Sequence, residues 1–153
     1  MDKLDTMSDD EAFKKALACI NRVVLSPCPC GSNKTYETCC EQYHKNHNAP
    51  TAEVLMRSRY CAFVFGLVNY LYETTHPSHR SKHLKEEIAF TCKGLAWTNL
   101  EVLECWQGME KDKVGKVSFR ASFVQEGKKG LHVEHSRFKR FGKAWMYLDG
   151  NIE

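Results

Sequence analysis

Apolar residues change their period once along this chain. Ser8, with Glu11 three residues later, has the form of a helix N-cap. Phe13, Leu17, Ile20 and Val24 then recur at helical spacing, which predicts an amphipathic helix over 9–24. From Thr51 to Thr75 the residues Leu55, Met56, Tyr60, Phe63, Val64, Leu67, Leu71 and Tyr72 repeat that pattern, with Gly66 as the point of a break or bend. Pro77 closes this region, and 80–92 reads as a further short helix. After Gly94 the period becomes two. Val117, Phe119, Ala121 and Phe123 alternate with Lys116, Ser118, Arg120 and Ser122, the signature of a strand with one wet face. Similar runs at 97–107, 130–141 and 144–149 are separated by turns at Gly108, Gly127–Gly130 and Gly142–Lys143. Helices followed by an antiparallel meander of about four strands predict an α+β fold with the helices on one sheet face.

Between the two regular stretches, residues 26–50 hold three of the four prolines and almost no aliphatic side chain, so this segment cannot order itself by burying a core. It does contain Cys28, Cys30, Cys39 and Cys40. Four thiolates satisfy a tetrahedral Zn²⁺ without redox chemistry, and coordination would then supply the order that the missing core cannot. A C-x-C followed by a C-C is not the usual zinc-finger spacing, so a disulfide or free thiols is the competing reading. His44 and His47 are reserve ligands. A site with four protein ligands leaves no open position for water or substrate, which makes its role structural.

At 153 residues the chain has the size of one ordinary domain, and no tract of about 18 apolar residues could span a bilayer. Before Phe13 there are five acidic residues and one lysine, the opposite of a secretory signal, so the expected compartment is the cytoplasm. In that reducing setting eight cysteines read first as metal ligands and packing residues; Cys19, Cys61, Cys92 and Cys105 lie in element-forming stretches and are expected in the core. Charge is unevenly spread. Residues 111–143 hold ten Lys or Arg against three acidic residues, which describes either a solvated sheet surface or a basic face for nucleic acid.

The run CPCGSNKTYETCC resembles the SEC-C motif, the short zinc-binding element also found in the preprotein translocase ATPase SecA. LMRSRYCAF at 55–63, THP at 75–77, KVSFRASF at 116–123, and EHSRF with WMYLDG within 134–150 resemble the YchJ family of bacterial proteins. The resemblance implies an NTF2-like cone: helices against a strongly curved antiparallel sheet, with an internal pocket. It implies Cys28, Cys30, Cys39 and Cys40 as the ligand set. Many members carry a second SEC-C motif at the C-terminus, which the residues up to Glu153 do not contain. The expected organisation is an N-terminal helix or extension at 1–25, a knuckle at 26–48 and an NTF2-like domain at 49–153.

Three functions compete on these residues. The first is a macromolecular adaptor, in which the knuckle presents Lys34, Tyr36 and Tyr43 to a protein or ribosomal partner. The second is a small-ligand or catalytic pocket. Alternation puts Glu104 with Trp106 on one strand face, and Glu134 with Ser136 and Phe138 on another. A carboxylate among aromatics could act as a base, unless Arg57, Arg59 or Arg137 simply pairs with it; Tyr60 and His76 are further pocket candidates. The third is nucleic-acid binding by the basic strands, with Trp97, Trp106, Phe138 or Trp145 as stacking surfaces. A homodimer through the sheet is compatible with each, and no membrane contact is expected. No nucleophile motif, phosphate loop or triad is present, so binding is favoured over catalysis.

Overall fold

A computed structural model describes residues 26–153; the helix expected over 9–24, and Cys19, lie outside the described residues. The order is α1 (Glu41–Asn46), α2 (Ala52–Phe65), α3 (Val68–Glu73), a 3-10 turn (Pro77–His79), α4 (Leu84–Gly94), then β1 (Ala96–Gln107), β2 (Val114–Gln125), β3 (Lys128–Phe141) and β4 (Ala144–Ile152). The strands form one antiparallel sheet in the order β1-β2-β3-β4, so the expected α+β layout holds. No helix among the described residues is long and apolar enough to cross a membrane.

Local chemistry sets the helix limits. The Thr51 hydroxyl accepts from the Val54 amide at the start of α2. Gly66, at φ 72°, ends the helix in the left-handed region and donates to the Ala62 carbonyl, which is the break the pattern predicts. The helix expected over 80–92 begins later, at Leu84. Pro77 opens a 3-10 turn instead, and the Arg80 side chain donates to the carbonyls of Thr75 and Glu73, tying this stretch to the end of α3.

The sheet curves around α2. Register shifts between Trp97 and Asn99, between Val102 and Glu104, and between Arg137 and Phe138 bend the strands. Glu126 and Gly127 turn β2 into β3 with Gln125 opposite Lys128, and both have positive φ, 49° and 77°, as a two-residue primed turn requires. Gly130 therefore belongs to β3 and not to the turn. At the opposite edge, β4 is stitched to the chain after α3: the His76 amide donates to the Tyr147 carbonyl at 2.7 Å, and the Tyr147 amide to the Thr74 carbonyl at 2.8 Å.

The main core lies between α2 and the concave sheet face, with Leu55, Met56, Tyr60, Leu100, Val117, Ala121, Phe138 and Trp145 buried. Trp145 also donates from Nε1 to the Pro50 carbonyl. At the start of α2 the backbone runs against the β1–β2 connection, where the Ala52 amide donates to the Gly108 carbonyl at 2.8 Å. A Cβ at Gly115 would overlap Gly108 Cα and come within 2.8 Å of its nitrogen. Backbone cannot move aside as a side-chain tip can. Gly115→Ala is therefore expected to cost ~1–3 kcal/mol as overpacking, read as a lower urea midpoint with an unchanged slope.

Candidate functional site

The thiol cluster is built by two short backbone pieces. Pro27 pairs with Thr35, and the Cys28 amide donates to the Lys34 carbonyl at 2.8 Å, closing a loop whose tight turns use Gly31 at φ 79° and Asn33 at φ 66°. Cys39 and Cys40 immediately precede α1, with Cys40 at its N-cap. The four Sγ atoms of Cys28, Cys30, Cys39 and Cys40 lie within 4.8 Å of one another, with 3.6 Å between Cys30 and Cys39 and 3.9 Å between Cys39 and Cys40. A tetrahedron with metal–sulfur bonds of about 2.3 Å has edges of about 3.8 Å, so the donor set fits a soft divalent ion. Burial pushes the Cys39 thiol up to about 11, and its hydrogen bond to Cys28 pushes Cys40 upward as well. Thiols packed this closely cannot all ionise unaided; a dication at their centre is what would deprotonate them.

The knuckle is locked to the domain. Arg57 of α2 donates from Nη1 to the Cys30 carbonyl at 2.7 Å while Glu53 accepts from its Nε. His44 Nδ1 lies 2.7 Å from the Tyr36 hydroxyl, and its Nε2 lies 2.8 Å from the Ser58 carbonyl. A carbonyl only accepts, so Nε2 carries the hydrogen and Tyr36 donates to Nδ1. Both ring nitrogens are occupied, and burial depresses this imidazole's proton affinity, so His44 is a neutral strut and not a ligand. His47 caps α1 and faces Glu73. Cys61, expected in the core, is fully buried there, but its Sγ stands 3.9 Å from that of Cys28, a fifth thiol beside the cluster. Cys92 is half-buried, whereas Cys105, also expected inside, is exposed with its Sγ 3.2 Å from Glu53.

A second site lies under α2 and α4, where the curved sheet leaves a cavity of about 700 Å³, within the roughly 300–1,000 Å³ usual for small-molecule sites. Its walls are largely apolar, with Phe63, Trp97, Phe119 and Ile88 among them. Its polar floor is made by β3 and β4. His132, Glu134, Ser136 and Phe138 alternate onto the inner face of β3 opposite Ala121, Phe119, Val117 and Gly115 of β2. Glu134 Oε2 accepts from the Ser136 hydroxyl at 2.5 Å and the Tyr147 hydroxyl at 3.0 Å, and Oε1 lies 3.0 Å from His132 Nε2. Burial would raise this carboxyl, but the hydrogen bonds from His132, Ser136 and Tyr147 prevail and hold it below the usual carboxylate range. Arg59 is buried on the same wall, donating to the Leu71 carbonyl and the Thr74 hydroxyl, with its guanidinium 4.5 Å above the Tyr147 ring. Burial pushes it down to about 10, so both it and Glu134 are charged at neutral pH.

The sequence-predicted pocket residues divide. Tyr60, Glu134 and Ser136 line the cavity. Glu104 and Trp106 do share a strand face, but it is the outer one, where they form a shallow groove with Lys116 and Ser118. The register shift after Val102 reverses the parity of β1 and turns Glu104 away from the cone. His76 is half-buried but not part of the lining, accepting from the Ser78 amide at Nδ1 and packing on Phe141; His79, three residues on, reaches the cavity. Arg137 pairs with Asp149 instead of either glutamate. His132, Arg59 and Tyr147 were not anticipated as site residues. His132 was within reach of the alternation argument, because it stands two residues before Glu134; Tyr147 joins only through strand pairing.

The other expected surfaces are thinner than the sequence suggests. Tyr36 hydrogen-bonds to His44 and packs edge-on against Phe65, and Tyr43 packs on the main core, leaving Lys34 as the exposed member of that trio. Of the rings expected to stack on bases, Phe138 and Trp145 are buried, Trp97 lines the cavity and Trp106 is half-exposed. Lys128 and Lys129 lie at one end of the β2–β3 hairpin, opposite Gln125 and Val124, while at the other end Lys116 faces Arg137 and Lys139 faces Val114 across the strands; of these cations Arg137 is paired with Asp149, and Arg120 farther along β2 with Glu101.

Comparison with known proteins agrees with this architecture. Residues 51–150 match the family described as YchJ, middle NTF2-like domain, and residues 26–42 match the SEC-C motif. A UPF0225 protein of Streptomyces coelicolor is 46% identical over 127 residues, covering 82% of this chain and 95% of that protein. The UPF0225 protein YchJ of Shigella dysenteriae is 44% identical, covering 80% of this chain and 81% of that one. The solution structure of a SEC-C motif containing protein from Rhodopseudomonas palustris superposes with a TM-score of 0.74 at 31% identity, covering 82% of this chain and 98% of that one. With its thiol cluster, its helices on a four-stranded antiparallel sheet and these relatives, the chain belongs to the YchJ family of SEC-C motif, NTF2-like proteins.

Proposed function

We propose that this protein binds a small, largely apolar molecule in the cavity under α2 and α4, with a zinc ion at Cys28, Cys30, Cys39 and Cys40 acting as a structural staple. The observation that carries the reading is the polar floor: a partly buried, ionised Glu134 with three donors, at the base of a cavity of about 700 Å³ with aromatic walls. A few fixed polar groups set among aromatic walls are what orients a ligand in a small-molecule site. Zinc is the assignment because four thiolates in a closed set suit it and leave no coordination position for catalysis. Docking of a macromolecule through the knuckle has less support, since two of its three candidate residues are tied into packing.

A neutral solvatochromic dye, Nile red, tests the cavity. Dye emission should shift to the blue on binding and quench Trp97, which lines the site. Ala121→Leu, on the inner face of β2 opposite His132, projects extra volume into the space and should weaken the dye by about tenfold, the order of one to two buried methylenes. Absence of a shift, or equal affinity in the variant, would remove this reading.

A further inference from the structure

The position of a hydrogen on one imidazole carries a further step. An ionised carboxylate can only accept, so the 3.0 Å contact between Glu134 Oε1 and His132 Nε2 requires the hydrogen to sit on Nε2. In the neutral ring Nδ1 then holds a lone pair, and it has no hydrogen-bond partner among the described residues, on a ring that lines the cavity. The ring's attitude is fixed by its neighbours, with Trp97 edge-on at 5.8 Å and Phe119 at 6.0 Å. The carboxylate is fixed too. Its other oxygen is taken by Ser136 and Tyr147. Gly150, on β4 opposite Ser136, leaves the space it occupies: a Cβ there would overlap Oε2 and come within 2.7 Å of Cδ. The sheet thus reserves room for this carboxyl group at one place and aims one of its oxygens at one imidazole nitrogen.

We propose that His132, oriented by Glu134, is a general base that moves a proton on an apolar carbonyl compound held in the cavity. This deepens the ligand-binding reading and rests on it. In the step, the Nδ1 lone pair takes a proton from the carbon next to the carbonyl. The C–H electron pair becomes a C=C bond, and the carbonyl π pair moves to oxygen as an enolate. The imidazolium charge is balanced by Glu134, and the enolate charge is stabilised by Arg59, the guanidinium of the same lining. The proton returns to the same carbon or to a conjugated one, giving exchange or double-bond migration, and no oxidant, reductant or cofactor is consumed. His132 is the catalytic residue in this scheme and Glu134 a positioning residue. Glu134 itself is excluded as the base, because its donors stabilise the ionised form and so weaken its basicity.

The test uses the full chain and α-tetralone, an apolar ketone, with deuterium exchange at its acidic C–H followed by proton NMR in heavy water. Exchange should be saturable in ketone and exceed that given by an equal concentration of free imidazole by ~100-fold, the lower range for a positioned base. His132→Gln should return it to background even at saturating ketone, with a single cooperative melt retained. Glu134→Gln should lower it by about tenfold or more, and nitrogen-15 spectra should show the His132 ring as a pure Nε2–H tautomer in the parent and a mixture in the variant, the loss of exchange following the loss of the reactive tautomer and not a loss of the cooperative melt. Should Glu134→Gln lose the fold, Gly150→Ala, which displaces the same carboxylate, must give the same loss of exchange. Dye binding without accelerated exchange, or with exchange unchanged in His132→Gln, would overturn the proton-transfer role and leave the cavity reading standing. Failure to bind the dye would overturn both.

Discussion

Removing the metal from the thiol cluster should lower the melting temperature of the whole domain by roughly 10–20 °C. Structural zinc sites carry apparent binding energies of about 10–16 kcal/mol in isolated peptides. If only about 5 kcal/mol of that is transmitted to folding, a chain of this size shifts by roughly 2–4 °C for each kcal/mol. The reason to expect transmission is the location of the sulfurs: Cys28, Cys30 and Cys40 are buried in the same cluster as Leu55, Met56, Leu100 and Phe138. Arg57 and His44 add two further ties between knuckle and α2. A strong chelator and the variant Cys28→Ser should therefore give the same lowered melting point, in a single transition, and the metal content should fall from about one zinc per chain to none. A small early transition, with the main melt unmoved, would show that the knuckle is an independent appendage.

Arg59→Met should be the most damaging substitution inside the domain that leaves the knuckle intact. The guanidinium is buried, donates to the Leu71 carbonyl and the Thr74 hydroxyl, and covers the Tyr147 ring. Methionine fills most of the volume but restores none of those bonds, and it leaves the buried charge of Glu134 without its nearby cation. Removing one partner of a buried charge system costs about 3–5 kcal/mol, or roughly 6–20 °C here. Arg59→Met with Glu134→Gln should recover part of that loss, because the uncompensated charge is gone. If the double variant is as unstable as the sum of the two singles, the two charges do not support one another.

The thiol cluster is legible in the sequence because it is local: four thiols within residues 28–40 need only two turns to meet, and the resemblance to a SEC-C motif points to the same four. The helices from Ala52 onward and the strands are legible because their periods are clean, and Gly66 marks the break it makes; α1 is not, because none of its residues is buried and no apolar stripe runs through it. The cavity was only half legible. Alternation correctly grouped Glu134 with Ser136 and Glu104 with Trp106, but it cannot tell an inner face from an outer one. One register shift after Val102 was enough to send Glu104 outward. The sequence offers Arg59 as a partner for a glutamate, and its position on the helix gives no sign that it bonds to the end of α3. The stabilising contacts of the site are set by pairings between strands and helices far apart in the chain, which no local pattern encodes.

The stitch between β4 and the chain after α3 has a kinetic consequence. Any widening of the cavity along that edge must break the two backbone hydrogen bonds that join Tyr147 to Thr74 and His76. Solvent exchange at the Tyr147 amide consequently times the breathing of the cavity wall, residue by residue and without a ligand. A molecule that enters by parting this edge can do so no faster than that amide loses its protection, so one resonance sets an upper bound on the rate of entry by that route.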